Sequence, residues 1–164
     1  MKLVLFQQGE SAARLGVLTD AGICDASAIV PSAATPQATM VSLIDHYDAL
    51  KPQLEALDGP PIAAGSVHLL SPLPRPGKII CCIANYWEHA QRETRPLNMF
   101  MKNPDAVIGP GDTICLPHFT EPDSFMHEAE LALVFKGPAK AVKQADWRSA
   151  VFGYTCMVDV TARE

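Results

Sequence analysis

His127-Glu-Ala-Glu-Leu-Ala-Leu-Val-Phe135 is the stretch on which the fold reading turns. Its alternation has the period of a β-strand, in which successive side chains point to opposite faces. One face then carries Glu128, Glu130, Ala132 and Val134. The other carries His127, Ala129, Leu131, Leu133 and Phe135, a set apolar but for the histidine and expected to be core. Carboxylates at i and i+2 on a strand have Cα atoms about 6.6–6.8 Å apart, close enough for both side chains to converge on one cation. Side by side on a half-buried face they repel, and a divalent ion or a basic partner relieves that repulsion. An ordinary solvated strand face is the alternative.

Downstream, Val151-Phe-Gly-Tyr-Thr-Cys-Met-Val-Asp-Val160 reads as a second strand, with Gly153, Thr155, Met157 and Asp159 on one face. Asp159 is either a third hard oxygen ligand for Mg²⁺ or Mn²⁺ or a turn-capping aspartate at a strand end. Upstream, Lys78-Ile-Ile-Cys-Cys-Ile83 is a continuous apolar run, the pattern of a central strand covered on both faces. Asn85 to Glu93 then reads as a loop turning into a short helix. Here Glu93, at i+4 from His89, is placed to accept one ring N–H and leave the other nitrogen as a general base, a surface histidine being the alternative. Ala106 to Leu116 reads as strand, Gly109-Pro-Gly-Asp112 turn and strand.

Toward the N-terminus, residues 2–6, 14–18 and 22–30 form short apolar segments separated by Gly9, Gly16 and the Asp20-Ala-Gly22 turn, the pattern of an antiparallel meander. Met40, Leu43, Ile44, Tyr47 and Leu50 fall at helical spacing from Thr39 onward, with Pro52 ending or restarting the helix. Pro60-Pro61, Pro72, Pro74 and Pro76 interrupt regular structure, so a small β-rich domain is expected over 1–70 and a second domain over 71–164. The 164 residues carry a net charge of −5 with no two adjacent basic residues, which argues against nucleic acid. The apolar start ends at Gln7, too short for a leader or a spanning helix, and a soluble cytoplasmic protein is expected. Five cysteines without a CxxC pair read as free, mostly buried thiols. No GxGxxG, Walker A or GxSxG motif is present.

Taken in order, Pro76-Gly-Lys-Ile-Ile80, Asn85-Tyr86 with His89, Phe100-Met-Lys102, Gly109-Pro-Gly-Asp112, Glu128-Ala-Glu130-Leu, and Gly153-Tyr-Thr155 leading to Asp159 and Ala162-Arg163 resemble the successive motifs of the fumarylacetoacetate hydrolase family. The resemblance runs from about Leu70 to the last residue. It implies a mixed β fold with few helices (α+β): a small N-terminal β-rich domain followed by part of a β-sandwich-like roll, in a homodimer. It also implies a Mg²⁺- or Mn²⁺-dependent hydrolase that cleaves a C–C bond in an acylpyruvate or other diketo acid. Glu128, Glu130 and Asp159 would hold the metal, which would chelate and polarise the 2-oxo acid. His89, paired with Glu93, would activate water, and Arg163 and Lys102 would bind the substrate's anionic groups. In this chain Arg92 stands three residues after His89, where the family usually has its acid, and the glutamate comes one later. That change of spacing leaves 2-oxo acid decarboxylation or isomerisation at the same metal as an alternative. The chain ends five residues after Asp159, so the resemblance also implies a truncated roll, and an inactive remnant or interaction domain is a further alternative.

Overall fold

The computed structural model describes residues 1–83, 85–86, 97–118 and 124–162. The chain divides into two compact units, Met1–Leu43 with Asp48–Asp112, and Ile44–Tyr47 with Thr113–Glu164.

The first unit contains the meander read from the sequence. Strands β1 (Lys2–Gln7), β2 (Arg14–Thr19) and β3 (Gly22–Asp25) pair antiparallel in turn, and β4 (His68–Leu70) joins the free side of β1. β4 has no counterpart in the sequence reading; a strand of three residues is too short to show a period of its own. The β2–β3 turn closes over Asp20-Ala21, and Gly22 at φ +135° adopts a conformation that only glycine takes without strain. Leu5, Phe6, Leu15, Ile23 and Ala26 are fully buried in this unit. The Arg14 guanidinium lies 4.8 Å from the Phe6 ring centroid and pairs with Asp25.

Gly16 is closely packed within the sheet. A Cβ there would overlap the Ile23 side chain and stand 3.0 Å from the Phe6 ring and 3.1 Å from the Cys24 carbonyl oxygen. Gly16→Ala is therefore expected to cost about 1–3 kcal/mol, as overpacked cores do, read as a lower urea midpoint with an unchanged m-value.

Helix α1 (Pro36–Glu55) starts three residues before the sequence expectation. Thr35 caps it, its Oγ1 accepting from Ala38 N at 3.1 Å, and Pro36 occupies the first turn, where a missing N–H costs nothing. The helix runs through Pro52 to Glu55, so the proline removes one backbone bond near the end without ending it.

Strands β5 (Ile79–Ile83) and β6 (Asn98–Lys102) form a two-stranded antiparallel sheet. The expectation of a central strand covered on both faces is corrected here. Ile80 is 57% exposed and Ile83 49% exposed, and only Cys81 of this strand is buried. A continuous apolar run records that both faces suit burial, and nothing in it states what lies over them. The strand–turn–strand reading of Ala106 to Leu116 is also corrected. Pro104–Ala106 is a 3₁₀ turn capped by Asn103, and residues 107 to 117 hold no strand. Of the five free cysteines only Cys24 and Cys81 are buried, so burial holds for fewer thiols than expected.

The second unit is built on β7 (Phe125–Phe135) and β8 (Val151–Ala162), an antiparallel pair with a register irregularity at Val134/Phe135. The short helix α2 (Trp147–Ala150) leads into β8, and Lys136 N donates to Ala150 O at 2.9 Å to close the connection. The Tyr47 and Phe152 rings meet edge-on at 5.0 Å. Among the described residues no helix is long and apolar enough to cross a membrane.

Candidate metal-binding site

The register of β7 and β8 sets Glu128 directly opposite Asp159, Glu130 opposite Met157 and Met126 opposite Thr161. Opposed residues of an antiparallel pair point to the same face, so Glu128, Glu130, Asp159 and Thr161 share one. It is the more covered face of the pair. Glu128, Glu130 and Thr161 are half-buried, and Asp159 is 3% exposed. The other face, expected to be core, is corrected: Leu131, Leu133, Phe135, Tyr154 and Val158 are all exposed. The period of two therefore sorts the side chains between faces correctly and assigns the burial to the wrong one.

Like charges directly opposite each other across a strand pair are destabilising, and burying one of them raises the cost. Among the described residues Asp159 Oδ1 is buried with no hydrogen-bond donor to it, while the residue engages its surroundings through other contacts. Thr161 Oγ1 donates to Glu128 Oε2 at 3.2 Å. A donor set of hard carboxylate oxygens fits a hard divalent cation such as Mg²⁺ or Mn²⁺, which would offset the repulsion between the two acids. The register sets Glu128 opposite Asp159, with Glu130 two residue pairs along on the same face. Among the described residues no three His, Cys, Asp or Glu side chains stand close enough together to hold an ion.

Three residues assigned roles from the sequence, His89, Glu93 and Arg163, lie outside the described residues. Lys102 is half-buried on β6 of the first unit, paired with Ile79, its ammonium 5.9 Å from the Phe100 ring centroid. Thr161 carries no motif of its own, and its place two residues after Asp159 puts it on the carboxylate face by the same period-two argument.

Two other charged features are self-contained. Gly109 N donates to Asp112 Oδ2 at 2.7 Å, fastening the Gly109–Asp112 turn, and His68 Nε2 stands 3.7 Å from Asp112 Oδ1. Arg75 and Asp105 pair beside a shallow hollow lined with Pro76, Gly77 and Pro104. The hydrogen bond from Arg75 holds the Asp105 carboxyl below the usual carboxylate range, so the hollow offers a neutralised pair to any ligand.

The family profile described as fumarylacetoacetate (FAA) hydrolase C-terminal matches residues 78–164, more than half of the chain. Maleylpyruvate hydrolase of Aquipseudomonas alcaligenes is 31% identical over 99% of this chain and 62% of its own length. The mitochondrial oxaloacetate tautomerase of Xenopus laevis is 34% identical over 100% of this chain and 53% of its own length. Among solved structures, maleylpyruvate hydrolase from Sphingobium, in complex with a manganese(II) ion and pyruvate, superimposes with a TM-score of 0.82 at 33% identity, covering 99% of this chain and 60% of that one. The chain thus spans little more than half the length of these relatives.

Proposed function

Because the chain belongs to the fumarylacetoacetate hydrolase family, we propose that it carries the metal-binding carboxylates of an enzyme that hydrolyses a C–C bond in an acylpyruvate or related diketo acid. The observation that carries this reading is the opposition of Glu128 to the buried Asp159 on a shared strand face. The manganese ion and pyruvate in the Sphingobium relative support it. In this reading Glu128, Glu130 and Asp159 would hold Mg²⁺ or Mn²⁺, which would supply Lewis acidity for a 2-oxo acid substrate. His89 takes a proton from water, and Glu93 accepts the other ring N–H and fixes the tautomer. The water oxygen adds to the acyl carbonyl carbon. The C–C bonding pair leaves with the pyruvate carbon, which then takes up a proton, giving pyruvate and a carboxylic acid. Arg163 and Lys102 pair with the substrate's anionic groups. A catalytic domain beginning near residue 71, a cytoplasmic location and a homodimer belong to the same reading; the exposed apolar faces of β5–β6 and β7–β8 support self-association.

A second reading rests on the tautomerase relative, which matches the whole of this chain at 34% identity. In it no C–C bond breaks, and His89 moves a proton between carbon and oxygen of a 2-oxo acid. The two are separated by incubating the chain with Mn²⁺ and either an acylpyruvate or enol-oxaloacetate. Pyruvate released in step with acylpyruvate consumption, and stopped by a chelator, is the expected result. Loss of enol absorbance with no pyruvate or CO₂ released would favour the tautomerase, and CO₂ release would point to decarboxylation. No turnover of either substrate would overturn both enzymatic readings for this chain.

A further inference from the structure

Thr161 lies two residues beyond Asp159 on β8, on the carboxylate face and diagonal to Glu128 across the pair. Diagonal neighbours in an antiparallel sheet are within reach of a long side chain, and the Glu128 carboxylate makes that reach, with Oε2 accepting from Thr161 Oγ1 at 3.2 Å. We propose that Thr161 is a positioning residue for the cation site, fixing the Glu128 carboxylate before an ion arrives. The inference rests on the reading that Glu128 and Asp159 bind a divalent cation.

Glutamate has three side-chain torsions, and the last is broad and roughly two-fold. An untethered Glu128 would lose that freedom when the ion binds, at the expense of affinity. Threonine is suited to prevent this. Its branched Cβ restricts χ1, so its hydroxyl is a fixed donor on a fixed strand. Both side chains are half-buried, which limits competition from water for the bond. Hydrogen bonds to ligating side chains commonly change metal affinity by about 10–100-fold when removed.

The test is Mn²⁺ titration, by calorimetry and by the free-ion EPR signal, of the parent chain, Thr161→Val, Thr161→Ala, Thr161→Ser and Glu128→Gln. Thr161→Val is expected to raise the Mn²⁺ dissociation constant about 10–100-fold, with Thr161→Ser restoring it to within a few-fold of the parent and the metal-free melting temperatures remaining close together. Thr161→Ala supplies the same comparison if the valine chain does not fold. Mn²⁺ binding by the valine and alanine chains equal to the parent's, with Glu128→Gln binding lost, would overturn the role of Thr161 and leave the cation site standing. Equal loss in the serine chain would likewise overturn it, since the hydroxyl would then not be the operative group. No binding by the parent, or full binding by Glu128→Gln, would overturn the cation site itself, and the role of Thr161 with it.

Discussion

Replacing Glu128 by Gln and Asp159 by Asn together is expected to abolish the rise in melting temperature that the proposed site predicts for the parent chain on adding Mn²⁺ or Mg²⁺. An ion that binds only the folded state at one hundred times its dissociation constant stabilises by about 2.7 kcal/mol. In a chain of this size that is a shift of about 5–10 °C. The double variant keeps the shape of both side chains and removes both charges, so its metal-free state should melt no lower than the parent's. Opposed like charges across a strand pair are themselves destabilising by about 0.2–1 kcal/mol, and in the parent one of the two is buried. The expected signature is therefore a crossing: the parent equal or lower without metal and higher with it. Differential scanning fluorimetry with and without each ion, and with chelator, reads both halves. A variant that melts far below the parent without metal would show the two acids to be structural supports, and would sink the cation site.

That pair also shows how far the sequence carries the site. The alternation of Glu128-Ala-Glu130-Leu is enough to set two acids on one strand face, because side-chain direction in a strand is local. The partnership of Glu128 with Asp159 is not local. It depends on the register across the connection from Lys136 to Ala150 and on the irregularity at Val134/Phe135, where a slip of one residue would send Asp159 to the other face. The covered face is less legible still. Leu131, Leu133 and Phe135 have the chemistry of a core and stand exposed, since composition states a preference for burial and only tertiary partners satisfy it. In the same way Lys78 to Ile83 reads as a strand and is one, yet its position at the middle of a sheet was an inference about neighbours. The start of α1 was legible in principle. Thr35-Pro36 is a cap followed by a first-turn proline, a stronger local signal than the apolar stripe that begins at Met40.

The amides of β7 and β8 are expected to exchange with solvent deuterium at least about one hundred times faster, relative to their intrinsic rates, than those of β1 and β2, a difference of about 2.7 kcal/mol in opening free energy. The contrast follows from where apolar surface is buried. In the first unit Leu5, Phe6, Leu15 and Ile23 are fully buried within a four-stranded sheet, the arrangement that gives a sheet stability of its own. Among the described residues of β7 and β8 the one buried side chain is the carboxylate of Asp159. A charge contributes no hydrophobic driving force, and a two-stranded pair without an apolar core is marginal in water. Saturating Mn²⁺ should narrow the gap if Glu128 and Asp159 hold the ion as proposed, since a ligand that binds only the closed pair would stabilise it against opening. Exchange measured at several protein concentrations adds the decisive comparison. Protection of β7 and β8 that grows with concentration would show Leu131, Leu133, Phe135 and Tyr154 being covered by another copy of the chain. Protection equal to that of β1 and β2 at every concentration, with no metal added, would contradict the assignment of stability to the first unit.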